Sequence, residues 1–277
     1  MREKIVSLGA GYSGLLCSYY LKDKYDITIL EKQSWITAGQ NPSFSVHKYL
    51  PKKICKNKRF LCGFFPSSGS IKDYCIKVYG NSLMNVDLRF RERKAIPIWS
   101  FDLPKLVANS KIIFNKEIVA GSMVQKKVWT KTGEEFKYDV LISTIPLPFL
   151  LKIFHQESSL SFDSVKIGVF REYIDFGIDY NFEIYISSFD VLPYRMYYDC
   201  VEKTLVKELS FKTPGVDNIE DFDAVLSPGR IFENSKAKHL AEVFKFYNIF
   251  LVGRYAMWDY DFLVEMIPEH LKKMQLI

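Results

Sequence analysis

Short apolar runs alternate with polar segments along the whole chain, and their spacing predicts a mixed α/β fold. Ile5-Val6-Ser7-Leu8 and Ile27-Thr28-Ile29-Leu30 read as strands, and Leu15 to Lys22 between them carries its apolar residues and Cys17 at helical spacing. Lys111-Ile112-Ile113-Phe114 and Ile249-Phe250-Leu251-Val252 predict two more strands. The apolar run from Tyr138 to Pro148 predicts a strand covered on both faces, as in a central parallel sheet. Val124 to Thr130 and Glu135-Phe136, turned at Lys131-Thr132-Gly133, read as a β-meander.

From Val165 to Phe211 the period is two. Val165 to Phe170, Phe182 to Ile186, Tyr194 to Tyr198 and Thr204 to Phe211 predict an aromatic-rich antiparallel sheet. Asn234 to Phe246 reads as an amphipathic helix carrying Ala237, Leu240, Val243 and Phe244, and Phe262 to Met274 as a last helix that Pro268 kinks or restarts. Phe101 to Val107 opens a short helix. The stretch between is less regular: Val46 to Pro51 reads as a short strand, Tyr74 to Leu83 alternates weakly, and Leu88 to Lys94 is a charged strand or loop.

One turn changes this from a pattern into a chemistry. Gly9-Ala10-Gly11-Tyr12-Ser13-Gly14 follows the first strand and opens the first helix, and Glu31 ends the second strand. Gly9 permits the tight turn, Gly11 lets backbone approach a pyrophosphate, and Gly14 lets helix and strand pack closely. The helix N-terminus offers free N–H groups to that pyrophosphate. An acid about 20 residues on can accept hydrogen bonds from a ribose, so the full strand, turn, helix and acid context of a dinucleotide site is present.

Composition adds little to this and excludes more. The 277 residues suffice for one large domain or two connected ones, and the net charge of +6 suits anionic ligands, nucleotides and nucleic acid included. Five scattered cysteines (17, 55, 62, 75, 200) with no C-x-x-C argue against a disulfide framework or zinc site and fit a reducing cytoplasm. The first strand begins at once, leaving no room for a signal peptide, and no apolar run has the length of a membrane span. Lys52 to Arg59 is basic, as a solvated loop or as a phosphate-attracting rim.

Three stretches together resemble the FAD-binding amine oxidase superfamily, and within it the UDP-galactopyranose mutases. They are the Gly9–Gly14 turn with Glu31, the strand Asp139-Val140-Leu141-Ile142-Ser143-Thr144-Ile145-Pro146, and Gly253-Arg254-Tyr255-Ala256-Met257-Trp258-Asp259-Tyr260 after the last strand. The resemblance implies a Rossmann-like FAD-binding domain, a parallel sheet with a β-meander, made discontinuously from 1–60, 105–150 and 230–277. An inserted α+β substrate domain with an antiparallel sheet would occupy 61–104 and 151–229. It implies FAD as the cofactor. Gly9, Gly11, Tyr12, Ser13, Gly14, Glu31, Lys32, Val119, Thr144, Pro146, Gly253, Arg254 and Trp258 would bind it, with the Val119 backbone meeting adenine.

The same resemblance places Tyr260 near the substrate, with Arg195 and Tyr197 on a strand that reads either as a substrate-binding layer or as ordinary exposed sheet. His47 and Arg254 are the catalytic candidates, against a loop histidine and a surface salt bridge as the plainer readings; Trp258 and Tyr260 also suit simple packing of the last helix. The mutases carry V-H-x-x-G-P-H-x-F against the flavin, and Val46 to Ile54 keeps the first His and the Pro but loses the Gly and the second His. The expectation is therefore an FAD-dependent oxidoreductase acting at a C–N bond of a small-molecule or nucleotide-linked substrate, nucleic acid included. The alternatives are a mutase-like isomerase and a non-catalytic nucleotide-binding protein.

Overall fold

The computed structural model describes residues 2–36, 54–64, 70–80, 95–156, 162–216, 222–226, 229–231, 234–259 and 262–277. Strand β1 (Lys4–Leu8), helix α1 (Tyr12–Leu21) and strand β2 (Asp26–Leu30) form a βαβ unit, β1 and β2 running parallel with Lys4 opposite Asp26 and Leu8 opposite Leu30. Next come β3 (Cys55–Phe64), α2 (Ile71–Tyr79), β4 (Ala95–Phe101), α3 (Leu103–Ala108) and β5 (Ile112–Ile113). The meander follows as β6 (Ile118–Ser122), β7 (Lys127–Thr130) and β8 (Glu135–Lys137), and then β9 (Val140–Ser143) and α4 (Leu147–Ile153).

The rest of the chain supplies β10 (Phe162–Ser164), β11 (Ile167–Tyr173), β12 (Asn181–Tyr185), β13 (Arg195–Asp199) and β14 (Thr204–Ser210). It continues through β15 (Ala224–Leu226), β16 (Gly229–Ile231), α5 (Asn234–Phe246), β17 (Ile249–Leu251) and α6 (Arg254–Met257). A 3-10 turn at Val264–Met266 leads into α7 (Ile267–Lys273).

The parallel sheet has the order β5-β2-β1-β9-β17. Its central strands are apolar on both faces because both are covered. Ile5, Ile27 and Ile142 pack with Leu15 and Leu16 of α1, Leu106 of α3 and Leu271 of α7. On the other face Val6, Leu8 and Leu141 pack with Val128 of the meander, Leu150 of α4 and Phe244 of α5. The chain leaves β1 in one direction toward β2 and β5, and later fills the other side with β9 and β17. The carboxyl ends of β1 and β9 therefore border the point where strand order reverses, which is where open α/β sheets bind ligands.

A second, seven-stranded sheet has the order β15-β11-β14-β13-β12-β3-β4, antiparallel except where β12 meets β3. Tyr74 and Val78 of α2 pack on it against Val169, Tyr194 and Val206. The four aromatic strands predicted from the period of two are β11 to β14.

Several local expectations are corrected. The weak alternation beginning at Tyr74 does not make a strand within the described residues: Ile71–Tyr79 is a helix, capped by the Ser70 hydroxyl, which accepts from the Asp73 N–H, and closed by Gly80 at φ +69°. The basic stretch after Ile54 is not a loop, since Cys55 to Arg59 begin β3. The last helix does not run from Phe262: a 3-10 turn at Val264–Met266 precedes it, and the chain restarts as α7 at Ile267 with Pro268 as its second residue, where the missing N–H costs nothing. Val119 lies inside β6, not between strands.

Candidate functional site

The glycine turn sits at the carboxyl end of β1, beside the end of β9. Gly9 has φ +97°, a conformation that side-chain-bearing residues rarely adopt, and its N–H donates to Leu30 O at 2.9 Å. A Cβ there would lie 2.8 Å from Thr144 Oγ1, and one on Gly14 would collide with the Gly9 carbonyl. Both glycines are thus set by close approach, and the helix axis is drawn tight onto the strand. Gly11 is the N-cap of α1 in extended conformation, with no side chain capping the helix and no acid in its first turn. The first-turn N–H groups therefore have no carboxylate from their own helix turn to satisfy them.

Glu31 is buried and fastens the turn. Its Oε2 accepts from Ala10 N–H at 2.7 Å and its Oε1 from Gln33 N–H at 2.9 Å. Thr144 Oγ1 donates to Leu8 O at 2.6 Å, with Gly9 O at 3.3 Å, so the end of β9 is tied to the residue where β1 becomes the turn. Pro146 is the N-cap of α4, and its carbonyl accepts from the N–H groups of Phe149 and Leu150.

The C-terminal segment arrives at the same place. Gly253 has φ +99°, and a Cβ on it would overlap the Ser13 hydroxyl in the first turn of α1. Arg254, the next residue, opens α6, is exposed, and makes no ion pair among the described residues. Tyr255 is half-buried, its phenol raised by desolvation and by Glu208 and lowered by Arg254, so this turn lies within the electrostatic reach of the antiparallel sheet. His270 Nε2 lies 2.9 Å from Leu251 O and ties α7 to the strand that carries the turn; burial lowers its pKa.

Other sequence-derived candidates fall differently. The Tyr12 ring packs on Phe101, 4.9 Å between centroids, and burial pushes its phenol up to about 12. Lys32 extends to Glu117, 2.9 Å away, on the meander. Trp258 is buried, edge-on to Phe162 at 5.8 Å, and belongs to the core on the meander side of the sheet. Val119 is exposed and is the extra residue of a bulge, since Ile118 pairs with Thr130 and Ala120 with Trp129. A bulged residue leaves backbone groups out of the ladder. His47 and Tyr260 lie outside the described residues.

Arg195 and Tyr197 sit in the antiparallel sheet. The Arg195 guanidinium is held between two buried carboxylates, Nε bonding Glu183 Oε1 and Nη1 bonding Glu208 Oε1 at 2.7 Å. Tyr194 donates to the other oxygen of Glu208 at 2.7 Å. Burial by itself would lower the Arg195 pKa, but Glu183 and Glu208 hold it well above the ordinary value. Tyr197 OH accepts from Asn181 Nδ2 at 2.9 Å. The carboxylates escaped the sequence reading because only register brings them in: Glu208 is directly opposite Arg195, and Glu183 is two residues from its other partner, Tyr185. Among the described residues no group of three or more His, Cys, Asp or Glu is placed to hold a metal ion. No helix among them is long and apolar enough to cross a membrane.

No protein-family model matches this chain, and no curated protein matches its sequence. Its fold is similar to that of solved structures. A reduced UDP-galactopyranose mutase superposes with a TM-score of 0.66 at 12% identity, over 99% of this chain and 94% of the mutase. The PF1083 protein of Pyrococcus furiosus gives 0.56 at 13%, over 99% and 98%. A 2-methyl-3-hydroxypyridine-5-carboxylic acid oxygenase mutant gives 0.54 at 12%, over 99% and 88%. At these identities the likeness is one of fold, a Rossmann-like sheet joined to an antiparallel one.

Proposed function

We propose that the protein is a flavoprotein that binds FAD across the Gly9–Glu31 unit and the Gly253 turn. Its reaction is hydride removal from a carbon next to nitrogen in the substrate. The observation that carries this is the meeting of the chain's two ends: Gly253 is packed on Ser13, so an exposed arginine with no ion pair among the described residues enters beside the start of α1, which no side chain caps. A single nucleotide turn needs no such partner. A cofactor with two phosphates and a second, planar half gains from one.

The chain's groups fit that cofactor in order. The glycines draw the start of α1 close onto β1, and the N-terminal dipole of α1 favours pyrophosphate. Glu31, at the end of β2, would accept from ribose hydroxyls alongside its bonds to Ala10 and Gln33. The bulged Val119 offers backbone to the edge of a purine. Arg254 can neutralise phosphate with a planar fork. Thr144, bonded to Leu8, keeps the turn from flexing as these contacts form. Bound FAD would supply the two-electron chemistry, accepting hydride from the substrate carbon, with oxygen or another acceptor taking the electrons onward.

Arg195 favours an oxidoreductase over a sugar-nucleotide isomerase. A diphosphate that recruited this guanidinium would have to draw it away from two buried carboxylates, which is strongly unfavourable. The basic charge suits an amine carried on a nucleotide or nucleic acid.

The absorption spectrum of the purified protein is the first test, with flavin bands expected. Anaerobic bleaching of those bands by amines, free or on nucleic acid, is the second. A colourless protein that takes up no FAD would leave only nucleotide binding. Turnover of UDP-sugars solely after dithionite reduction would establish the isomerase instead.

A further inference from the structure

We infer that the amino-terminal edge of the parallel sheet carries a second ligand site, built for a small phosphorylated polyol such as a sugar phosphate. A cavity of about 360 Å³ opens there, bordered by Arg2, Ser18, Lys22, Asp26, Asn109 and Lys111. This volume is at the lower end of the range that small-molecule pockets occupy. The site is made where elements start and stop. Arg2 precedes β1, Lys22 caps α1, Asp26 opens β2, Asn109 caps α3 and Lys111 leads into β5. The glycine turn lies at the other end of the same strands, so the two sites share α1 but not a mouth.

Charge is the first argument. Three cations and one carboxylate border the cavity, and none of the four is in an ion pair among the described residues. The carbonyl ends of α1 and the short α3 work against an anion, each by at most about half a charge. Arg2 meets the first of these directly, its Nη1 donating to Lys22 O at 3.3 Å. The formal balance of three cations against one carboxylate leaves the cavity positive.

Order and an open demand are the second argument. The Lys22 ammonium is held by Asn109 Oδ1, and Asn109 Nδ2 is held by Lys105 O at 2.7 Å, so this cation is already oriented. The Ser18 side chain is fully buried, and its hydroxyl has no hydrogen-bond partner among the described residues. Buried polar groups of this kind are few in folded proteins and call for an explanation such as a ligand or water. The mixed chemistry defines the ligand class: Arg2, Lys22 and Lys111 suit a phosphate, and Asp26 suits the hydroxyls of the polyol attached to it.

The test is calorimetric titration of the full-length protein with D-ribose 5-phosphate, inorganic phosphate and free ribose. Ribose 5-phosphate is expected to bind and free ribose not to. Lys111→Glu, a change at an exposed residue, should weaken ribose 5-phosphate by at least about tenfold, the loss of one charge-assisted hydrogen bond. Asp26→Asn should weaken ribose 5-phosphate but not inorganic phosphate. Arg254→Ala should change neither. The inference is overturned by absence of binding, by binding that survives Lys111→Glu, or by binding lost in Arg254→Ala, which would put the anion at the glycine turn. Equal effects of Asp26→Asn on both phosphates would overturn the polyol assignment.

Discussion

Gly253 rests against Ser13: a β-carbon on the glycine would fall 3.0 Å from Ser13 Cβ and overlap its hydroxyl. The C-terminal turn can reach the start of α1 only without a side chain, and only at the positive φ that Gly253 adopts. Gly253→Ala should therefore destabilise the protein by about 1–3 kcal/mol through backbone strain alone. It should also lower FAD retention after gel filtration. Unchanged retention in a folded variant would remove the C-terminal turn from the cofactor site.

Glu31 joins the glycine turn to the end of β2 through Ala10 and Gln33. Glu31→Ala leaves the Ala10 N–H without its acceptor in a buried place, at a cost of about 1–3 kcal/mol. The urea midpoint should fall accordingly, and adenine nucleotide affinity with it. A midpoint equal to that of the parent would show that the carboxylate contributes nothing to the turn.

Thr144 acts on the turn from β9. Thr144→Val keeps the shape and removes the bond to Leu8 O, for a loss of about 1 kcal/mol. Amide exchange at Ala10 and Gly11 should quicken, and Thr144→Ser should restore it. Identical exchange in the valine and serine variants would assign Thr144 to packing only.

Arg195→Met would strand Glu183 and Glu208 in the sheet. Removing one partner of such a buried network typically costs about 3–5 kcal/mol. Thermal unfolding should drop well below that of Arg171→Met, a change at an exposed position of the same sheet. Equal melting temperatures would mean that the carboxylates find other partners or protonate without penalty.

Lys77 predicts a pH dependence. Its side chain is fully buried, its ammonium donates to the carbonyls of Ser188, Val191 and Pro193, and burial pushes its pKa down to about 8. The folded state releases this proton at lower pH than the unfolded state, so between the folded value and the ordinary lysine range the unfolded chain binds more protons. Stability from this group therefore rises with pH across that window, by at most about 1.4 kcal/mol per pH unit. Below the window the burial penalty is fully present. The three carbonyls favour the charged form and oppose the effect of burial, and the window opens at about 8. The urea midpoint of the parent, measured against Lys77→Met from pH 7 to 10, should move in the parent's favour as pH rises; a constant difference would place the titration outside this range.

The parts of the fold that read well from sequence are those in which neighbours along the chain carry the signal. Gly9, Gly11 and Gly14 with Glu31 lie within one βαβ unit, and β11 to β14 show their period of two because one face of each is covered. The helix at Ile71–Tyr79 was also legible, in Ser70 with Asp73 at the start and Gly80 at the end, but its weak apolar alternation hid those caps. Its buried positions include Lys77, whose demand is met by a loop more than 100 residues away.

The amino-acid sequence on its own determined the glycine turn, the helix that follows it and the alternation of the aromatic strands, because each depends on backbone preference and local burial. Tertiary structure decided everything that depends on register and on chain ends meeting. Arg195 is an open cation in the sequence and a guanidinium locked between two carboxylates in the fold, since strand pairing alone sets Glu208 opposite it. Gly253 is singled out in the sequence by the segment it opens, but its contact with Ser13 exists only in the fold, since packing of β17 beside β9 brings it there.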